Sequence, residues 1–244
     1  MSVRIIGTGS YLPKKVADNN FLSTIVDTDD EWIRQRTGIK ERHLSNGKEG
    51  TTYMAAHAAE AALENAGIGA DELDMIIVAT VSADTYVPST SCSVQGAIGA
   101  IRATCFDINA ACSGFLFALN TAYAYIEMFG DGSGAAIVQK DDSNVGGLIA
   151  SVTGSDGTQG DVLTCKGRGI QNPFHNSKRK KDYIRMDGQA VFRFAVTMVP
   201  RCVKQILKKT ETDVDDIKFF VLHQANVRIL ELIAKRLKVD IDKF

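Results

Sequence analysis

Neither a Cys-x-x-Cys pair nor a run of apolar residues long enough to span a membrane occurs in this 244-residue chain. Its five cysteines (Cys92, Cys105, Cys112, Cys165 and Cys202) are odd in number and widely spaced, which excludes a disulfide scaffold and a zinc site of ordinary spacing. Free thiols in that pattern suit a reducing cytoplasm. Charge of one sign is missing too: 28 basic against 29 acidic residues leave a formal net charge of −1, which argues against general nucleic-acid or membrane-surface binding. The amino terminus, Met-Ser-Val-Arg-Ile-Ile-Gly, lacks the charged and long apolar regions of a signal peptide. No Walker A or Gly-x-Gly-x-x-Gly loop is present.

What remains is ordinary for a globular protein with a sizeable core: 45% hydrophobic and 23% charged residues. The length fits one large α/β domain or two closely packed halves. Arg4 to Gly9 reads as a first strand. Asp29 to Arg36 reads as a short helix capped by Thr28 or Asp29, and Thr51 or Thr52 caps an Ala-rich helix that ends near Gly67-Ile-Gly69. Asp74-Met-Ile-Ile-Val-Ala-Thr80 is continuous apolar sequence, the pattern of a strand buried on both faces of a parallel sheet.

An internal repeat runs through these elements. Ala70-Asp-Glu-Leu-Asp-Met-Ile-Ile-Val-Ala79 resembles Val214-Asp-Asp-Ile-Lys-Phe-Phe-Val-Leu-His223 at an offset of 144 residues, and each copy follows a long helix, Tyr53 to Ala66 and Phe192 to Lys209. Two similar halves are expected, 1–165 and 166–244. The second is short, since only 21 residues follow His223. A second irregularity lies at Glu127–Met128, where the helix Phe115 to Ile126 runs almost directly into Phe129-Gly-Asp-Gly-Ser-Gly134 with no room for a strand. Two such truncations suggest omitted segments.

Two residues stand where chemistry is expected. Cys112, in Asp107-Ile-Asn-Ala-Ala-Cys-Ser-Gly-Phe115, closes an apolar run just before a helix. Unpaired N–H groups and the helix dipole there favour negative charge and hence a nucleophilic thiolate; the alternative is a small buried hydrophobe. His223 ends an apolar strand, at the edge where α/β sheets place their ligand crevices, or else is a hydrogen-bonded core residue. His43, His57 and His175 have no such placement and read as structural or surface groups. The Gly-rich turn 129–134 feeds a strand, the reverse of a phosphate cradle. Arg193, Arg201 and Lys204 fall on or near one long helix, and Arg228, Lys235 and Arg236 on the last, whose apolar stripe is Ile229, Leu232, Ile233 and Leu237. These cations form either a solvated face or a docking patch for an acidic or phosphate-bearing partner. Lys178-Arg-Lys-Lys181 reads as a solvated loop.

Taken together, Gly7-Thr-Gly-Ser-Tyr-Leu-Pro13, Asp30-Glu-Trp-Ile-Arg-Gln-Arg-Thr-Gly-Ile39, Ala110-Ala-Cys-Ser-Gly-Phe115, Phe129-Gly-Asp-Gly-Ser-Gly134, Gly154-Ser-Asp-Gly157 and His223-Gln-Ala-Asn226 resemble β-ketoacyl-acyl-carrier-protein synthase III, the initiating condensing enzyme of type II fatty-acid synthesis. The resemblance runs from Arg4 to Phe244. It implies an α/β, thiolase-like fold of duplicated αβ halves in five layers, usually a homodimer. Cys112 is then the acylated nucleophile and His223 one of two groups serving condensation. Thr28, Trp32 and Arg36 match positions that hold coenzyme A, with Phe192 and Asn226 lining its pantetheine tunnel. Gln224, Ala225, Asn226, Val227 and Arg228 match the carrier-protein segment, and Arg193, Arg228, Lys235 and Arg236 its basic docking patch. Neither metal nor redox cofactor is implied.

The chain departs from the family pattern in three places. The second condensation donor, an Asn in a Gly-Asn-Thr-Ser segment, has no counterpart here. A strand and loop expected between Glu127 and Met128, with a further CoA-contacting Arg, are also missing. Third, Val87 stands in Thr85-Tyr-Val-Pro88 where a bulky aromatic often closes the partner subunit's acyl pocket, so starters longer than acetyl, or branched, are expected to fit.

Overall fold

The computed structural model of the chain describes residues 2–129, 132–133, 136–141, 146–165 and 184–244. The chain divides into two compact units, Met1–Ser151 and Val152–Phe244. His175, the basic run 178–181 and parts of the Gly-rich turn lie outside the described residues.

The first unit contains β1 (Ser2–Thr8), β2 (Lys15–Asp18), α1 (Asn19–Ser23), α2 (Asp30–Thr37), β3 (Glu41–Leu44), α3 (Thr51–Ala66), β4 (Met75–Ala79), α4 (Thr90–Ile98), β5 (Thr104–Ile108), α5 (Gly114–Phe129), β6 (Gly132–Ser133) and β7 (Ala136–Asp141). Five strands form one sheet in the order β1-β7-β6-β4-β5, and β2 and β3 form a separate antiparallel pair. β4 is parallel to both β5 and β6, whereas β7 is antiparallel to β1 and β6.

The apolar run in β4 has a direct structural cause, because both of its faces are covered. Ile76 packs with Ala62, Leu63 and Leu73 on one side, while Met75 and Ile77 pack with Ala122, Ile126 and Val138 on the other. The first side carries α3 and α4 and the second α5. Small residues set the closeness of one layer. A Cβ on Gly9 would collide with the α3 backbone at Ala58 and Ala62, so only glycine lets β1 lie this near the Ala-rich helix. Between β4 and β7, bridged only by the two-residue β6, lies an apolar cavity of about 260 Å³ lined by Ile76, Val78, Ala118, Leu119 and Val138 among others.

The second unit contains β8 (Leu163–Thr164), β9 (Arg185–Met186), α6 (Gly188–Thr210) and α7 (Val227–Leu237). β8 and β9 pair antiparallel, and Phe220, Ile233 and Leu237 form its core with Val199, Val203 and Ile229 packed around them.

Two local expectations need correction. The N-cap of α3 is Gly50, not Thr51 or Thr52; the N–H groups of both threonines are instead taken by the Asp84 carboxylate, at 2.9 and 2.7 Å. The segment before His223 is not a strand. Strands need neighbours, and this segment pairs with none among the described residues; the Phe220 N–H donates instead to the Lys243 carbonyl at 2.7 Å. Its pattern still alternates, with Phe220 8% exposed between Phe219 at 63% and Val221 at 90%.

Candidate active site

β5 ends at Ile108, and a 3-10 turn, Ala111–Ser113, leads into α5. Ala111 has a φ of 44°, a left-handed conformation that costs an alanine roughly 1–3 kcal/mol. That bend turns the chain out of the sheet and leaves the Cys112 thiol exposed, one turn before a 16-residue helix. Such a thiol is open to attack by, or on, an external reagent. The expectation of a small buried hydrophobe does not hold. Gly114 is the residue that allows the geometry, since a Cβ there would stand 2.9 Å from the Ala79 Cβ at the end of β4.

Asp107, on β5 five residues before Cys112, binds the start of α4: its carboxylate accepts the Thr90 and Ser91 N–H groups at 2.7 and 2.8 Å. Burial pushes this carboxyl up, but the hydrogen bonds from Ser91 and Thr90 outweigh it and hold the group below the usual carboxylate range. Asp84 does the same for α3, and its Thr52 contact likewise holds it low. The loop between β4 and α4, which carries Val87, is thus tied at Asp84 to α3 and followed by a helix tied to the Cys112 strand. Val87 itself is 85% exposed.

On α2, the Asp29 carboxylate caps the helix by accepting the Trp32 N–H at 2.7 Å. Trp32 and Arg36, one turn apart, stack with the guanidinium 4.7 Å from the ring centroid, and the indole is half exposed. Thr28 Oγ1, just before this helix, is buried without a hydrogen-bond partner. An exposed cation–aromatic stack can receive an aromatic, anionic ligand such as a nucleotide. Of the remaining histidines, His43 Nδ1 contacts the Pro13 carbonyl and His57 pairs with Glu60 at 2.7 Å. Both have structural partners.

In the second unit, His223 is exposed at the end of its unpaired segment, with Gln224 and Ala225 exposed after it. Asn226 is the N-cap of α7, its Oδ1 accepting the Arg228 N–H at 3.0 Å, so only its amide Nδ2 is left over from the cap. Phe192 is half-buried in the second turn of α6, and Val227 half-buried in the first of α7, whereas Arg193, Arg228, Lys235 and Arg236 are exposed. Arg236 has a further role that its sequence position does not betray. Pro200 lies inside α6 and has no N–H for the Val196 carbonyl, and the Arg236 guanidinium donates to that oxygen from α7. The strained Ala111, the Asp107 clamp and this Arg236 bond were not foreseen; only the proline inside a helical pattern signalled any of them.

The last 38 residues, 207–244, match the family model for the C-terminal part of 3-oxoacyl-[acyl-carrier-protein (ACP)] synthase III. Over nearly its full length the chain is 45% identical to the β-ketoacyl-[acyl-carrier-protein] synthase III of Clostridium kluyveri, covering 83% of that protein, and 44% identical to that of Clostridium acetobutylicum over the same share. The first of these alignments runs over 270 positions, more than the 244 residues of the chain, so that relative carries segments absent here. Among solved structures, 3-oxoacyl-[acyl-carrier-protein] synthase III of Aquifex aeolicus superposes with a TM-score of 0.88 at 34% identity, over 99% of this chain and 82% of its own. The priming β-ketosynthase of the R1128 polyketide pathway superposes at 0.84 with 28% identity, over 98% of this chain and 79% of its own.

Proposed function

The chain belongs to the β-ketoacyl-acyl-carrier-protein synthase III family, and on that premise we propose that Cys112 and His223 carry out the condensation that initiates type II fatty-acid synthesis. The fold is thiolase-like and the activity acyl transfer. The observation that carries the reading is the exposed Cys112 on a strained turn at the head of α5.

In the first half-reaction the Cys112 thiolate attacks the carbonyl of an acyl-CoA thioester, and backbone N–H groups of the turn stabilise the tetrahedral oxyanion. The C–S bond to CoA breaks, CoA leaves as a thiolate that solvent protonates, and the acyl group stays on Sγ. Trp32, Arg36 and Thr28 hold the nucleotide end of CoA, and Phe192 and Asn226 border its pantetheine arm. In the second, malonyl-acyl carrier protein docks on Arg193, Arg228, Lys235, Arg236 and the segment Gln224–Arg228. Loss of CO2 leaves an enolate, whose oxygen takes a hydrogen bond from His223. The carbanion attacks the acyl-Cys carbonyl, Sγ departs as thiolate, and 3-oxoacyl-acyl carrier protein is released. Decarboxylation supplies the electron pair, so the chemistry balances without a metal or redox cofactor. The halves 1–165 and 166–244 each supply one catalytic residue, in a cytoplasmic homodimer whose exposed Val87 loops reach the neighbouring subunit.

The test is carrier-protein product formation from acetyl-CoA and malonyl-acyl carrier protein. Turnover abolished by Cys112→Ala and lowered at least a hundredfold by His223→Ala supports the reading. Turnover that survives Cys112→Ala contradicts it.

A second reading draws support from the unpaired segment before His223 and from the longer alignment with relatives. In it the chain binds CoA and carrier protein without condensing them. Binding that survives Cys112→Ala, with no product from the unaltered chain, would favour this reading. The R1128 likeness supports a third variant, a priming ketosynthase of secondary metabolism, which starter preference separates.

A further inference from the structure

Helix α6 is unusual in charge. Its 23 residues include Arg193, Arg201, Lys204, Lys208 and Lys209 and not one Asp or Glu, in a chain whose acids and bases are otherwise balanced at 29 and 28. Four of these cations are collinear. At about 100° per residue, positions 193, 201, 204 and 208 fall within an arc of about 80°, spread over about 22 Å of helix. All four are exposed. Beside the lower three runs an open groove of about 560 Å³ between α6 and α7, lined by Arg201, Lys204, Lys208 and Arg236 and, among the described residues, by no carboxylate. Arg236 is fixed in that wall by its bond to the Val196 carbonyl, which Pro200 leaves without a helical donor. Four like charges lined up with no ion pair to a described carboxylate repel one another. Such a line is relieved by a partner that presents carboxylates at matching spacing.

We propose that the carrier-protein surface continues beyond Arg193 along α6, and that Arg201, Lys204 and Lys208 form a track receiving a row of carboxylates on a helix of acyl carrier protein. The proposal rests on the carrier-protein reading above. Arg236, already one of the docking cations, also pins α7 to α6 through its bond to the Val196 carbonyl. An acidic helix fits better than a free phosphate, because the cations are spread along the helix instead of converging on one point. The lower track differs chemically from the residues read as holding the nucleotide end of CoA, Thr28, Trp32 and Arg36, in having no aromatic.

The experiment measures binding of holo acyl carrier protein to the intact chain by fluorescence anisotropy across a salt series. Three variants are compared: Arg193→Glu/Arg228→Glu, Arg201→Glu/Lys204→Glu/Lys208→Glu, and Lys14→Glu on the other unit as a control. The milder Lys204→Gln/Lys208→Gln guards against misfolding of the charge-reversed chain. Expected is a loss of about tenfold or more for the track variant, with a shallower dependence on salt, a smaller loss for the Gln pair and none for Lys14→Glu. CoA binding should be unchanged in the track variants and in Lys14→Glu. Normal affinity of the track variants beside weakened Arg193→Glu/Arg228→Glu overturns this proposal and leaves the docking reading standing. No binding by the unaltered chain overturns both. Track variants that lose CoA affinity instead would assign the groove to a phosphate and overturn it too.

Discussion

Single residues decide how this surface reacts. Of the thiols, Cys112 stands exposed on a strained turn, whereas burial, with the neighbouring Cys92 thiol, pushes Cys105 up to about 11. Limited iodoacetamide at neutral pH should therefore label Cys112 and leave Cys105 unmodified, as peptide mass mapping would read; preferential labelling of Cys105 would be inconsistent with this arrangement. Asp107 carries a second consequence. Its folded-state carboxyl is held low by the α4 N–H groups, so the stability it contributes is present above the unfolded value near 4 and is lost as pH falls through the depressed folded value. Asp107→Asn should lower stability at neutral pH by about 1–2 kcal/mol and flatten the acid limb of the stability curve, measured by denaturant unfolding from pH 7 to 3. An acid limb as steep as that of the unaltered chain would assign the loss to other carboxylates. Cys112 was legible in the sequence from its place between an apolar run and a helix. Asp107 was not, because its partners lie 16 and 17 residues away, on an element whose packing no local pattern reveals.

Elements followed the sequence wherever periodicity was strong and both flanks were local. The helix expected at Tyr53–Ala66 is α3 at Thr51–Ala66, and the run at Asp74–Thr80 is β4, buried on both faces as its unbroken apolar content required. Caps were less legible: Asp84, more than thirty residues on, serves α3 where Thr51 was expected to serve itself. The segment before His223 shows the other limit. Its alternation is that of a strand, but a strand is a pairing, and no described strand lies beside it. Close packing gives a sharper test at this scale. Gly9→Ala places a methyl against the α3 backbone, which cannot yield as a side-chain tip can. A loss of about 3 kcal/mol or more is expected in chemical unfolding. A loss below about 1 kcal/mol would mean that β1 and α3 lie farther apart than described.

At the scale of the whole molecule, the family was readable in the chain. The offset repeat suggested two halves, several long motifs in order pointed to the condensing enzymes, and the abrupt join at Glu127–Met128 finds an echo in a relative's alignment of 270 positions and in the cavity beside the two-residue β6. Starter choice belongs to this scale as well under the proposed homodimer, in which Val87 borders the neighbouring subunit's acyl pocket. With Val87 85% exposed, filling its position should narrow the partner's pocket. Val87→Phe is expected to lower kcat/KM for isobutyryl-CoA relative to acetyl-CoA by about tenfold or more, and an unchanged ratio would remove Val87 from the pocket.

The central claim is that Cys112 is the residue acylated by CoA thioesters, and intact-protein mass spectrometry before and after incubation with acetyl-CoA tests it most directly. The account predicts a gain of one acetyl group in the unaltered chain and none in Cys112→Ala. No gain in the unaltered chain, or a gain that persists in Cys112→Ala, would contradict it.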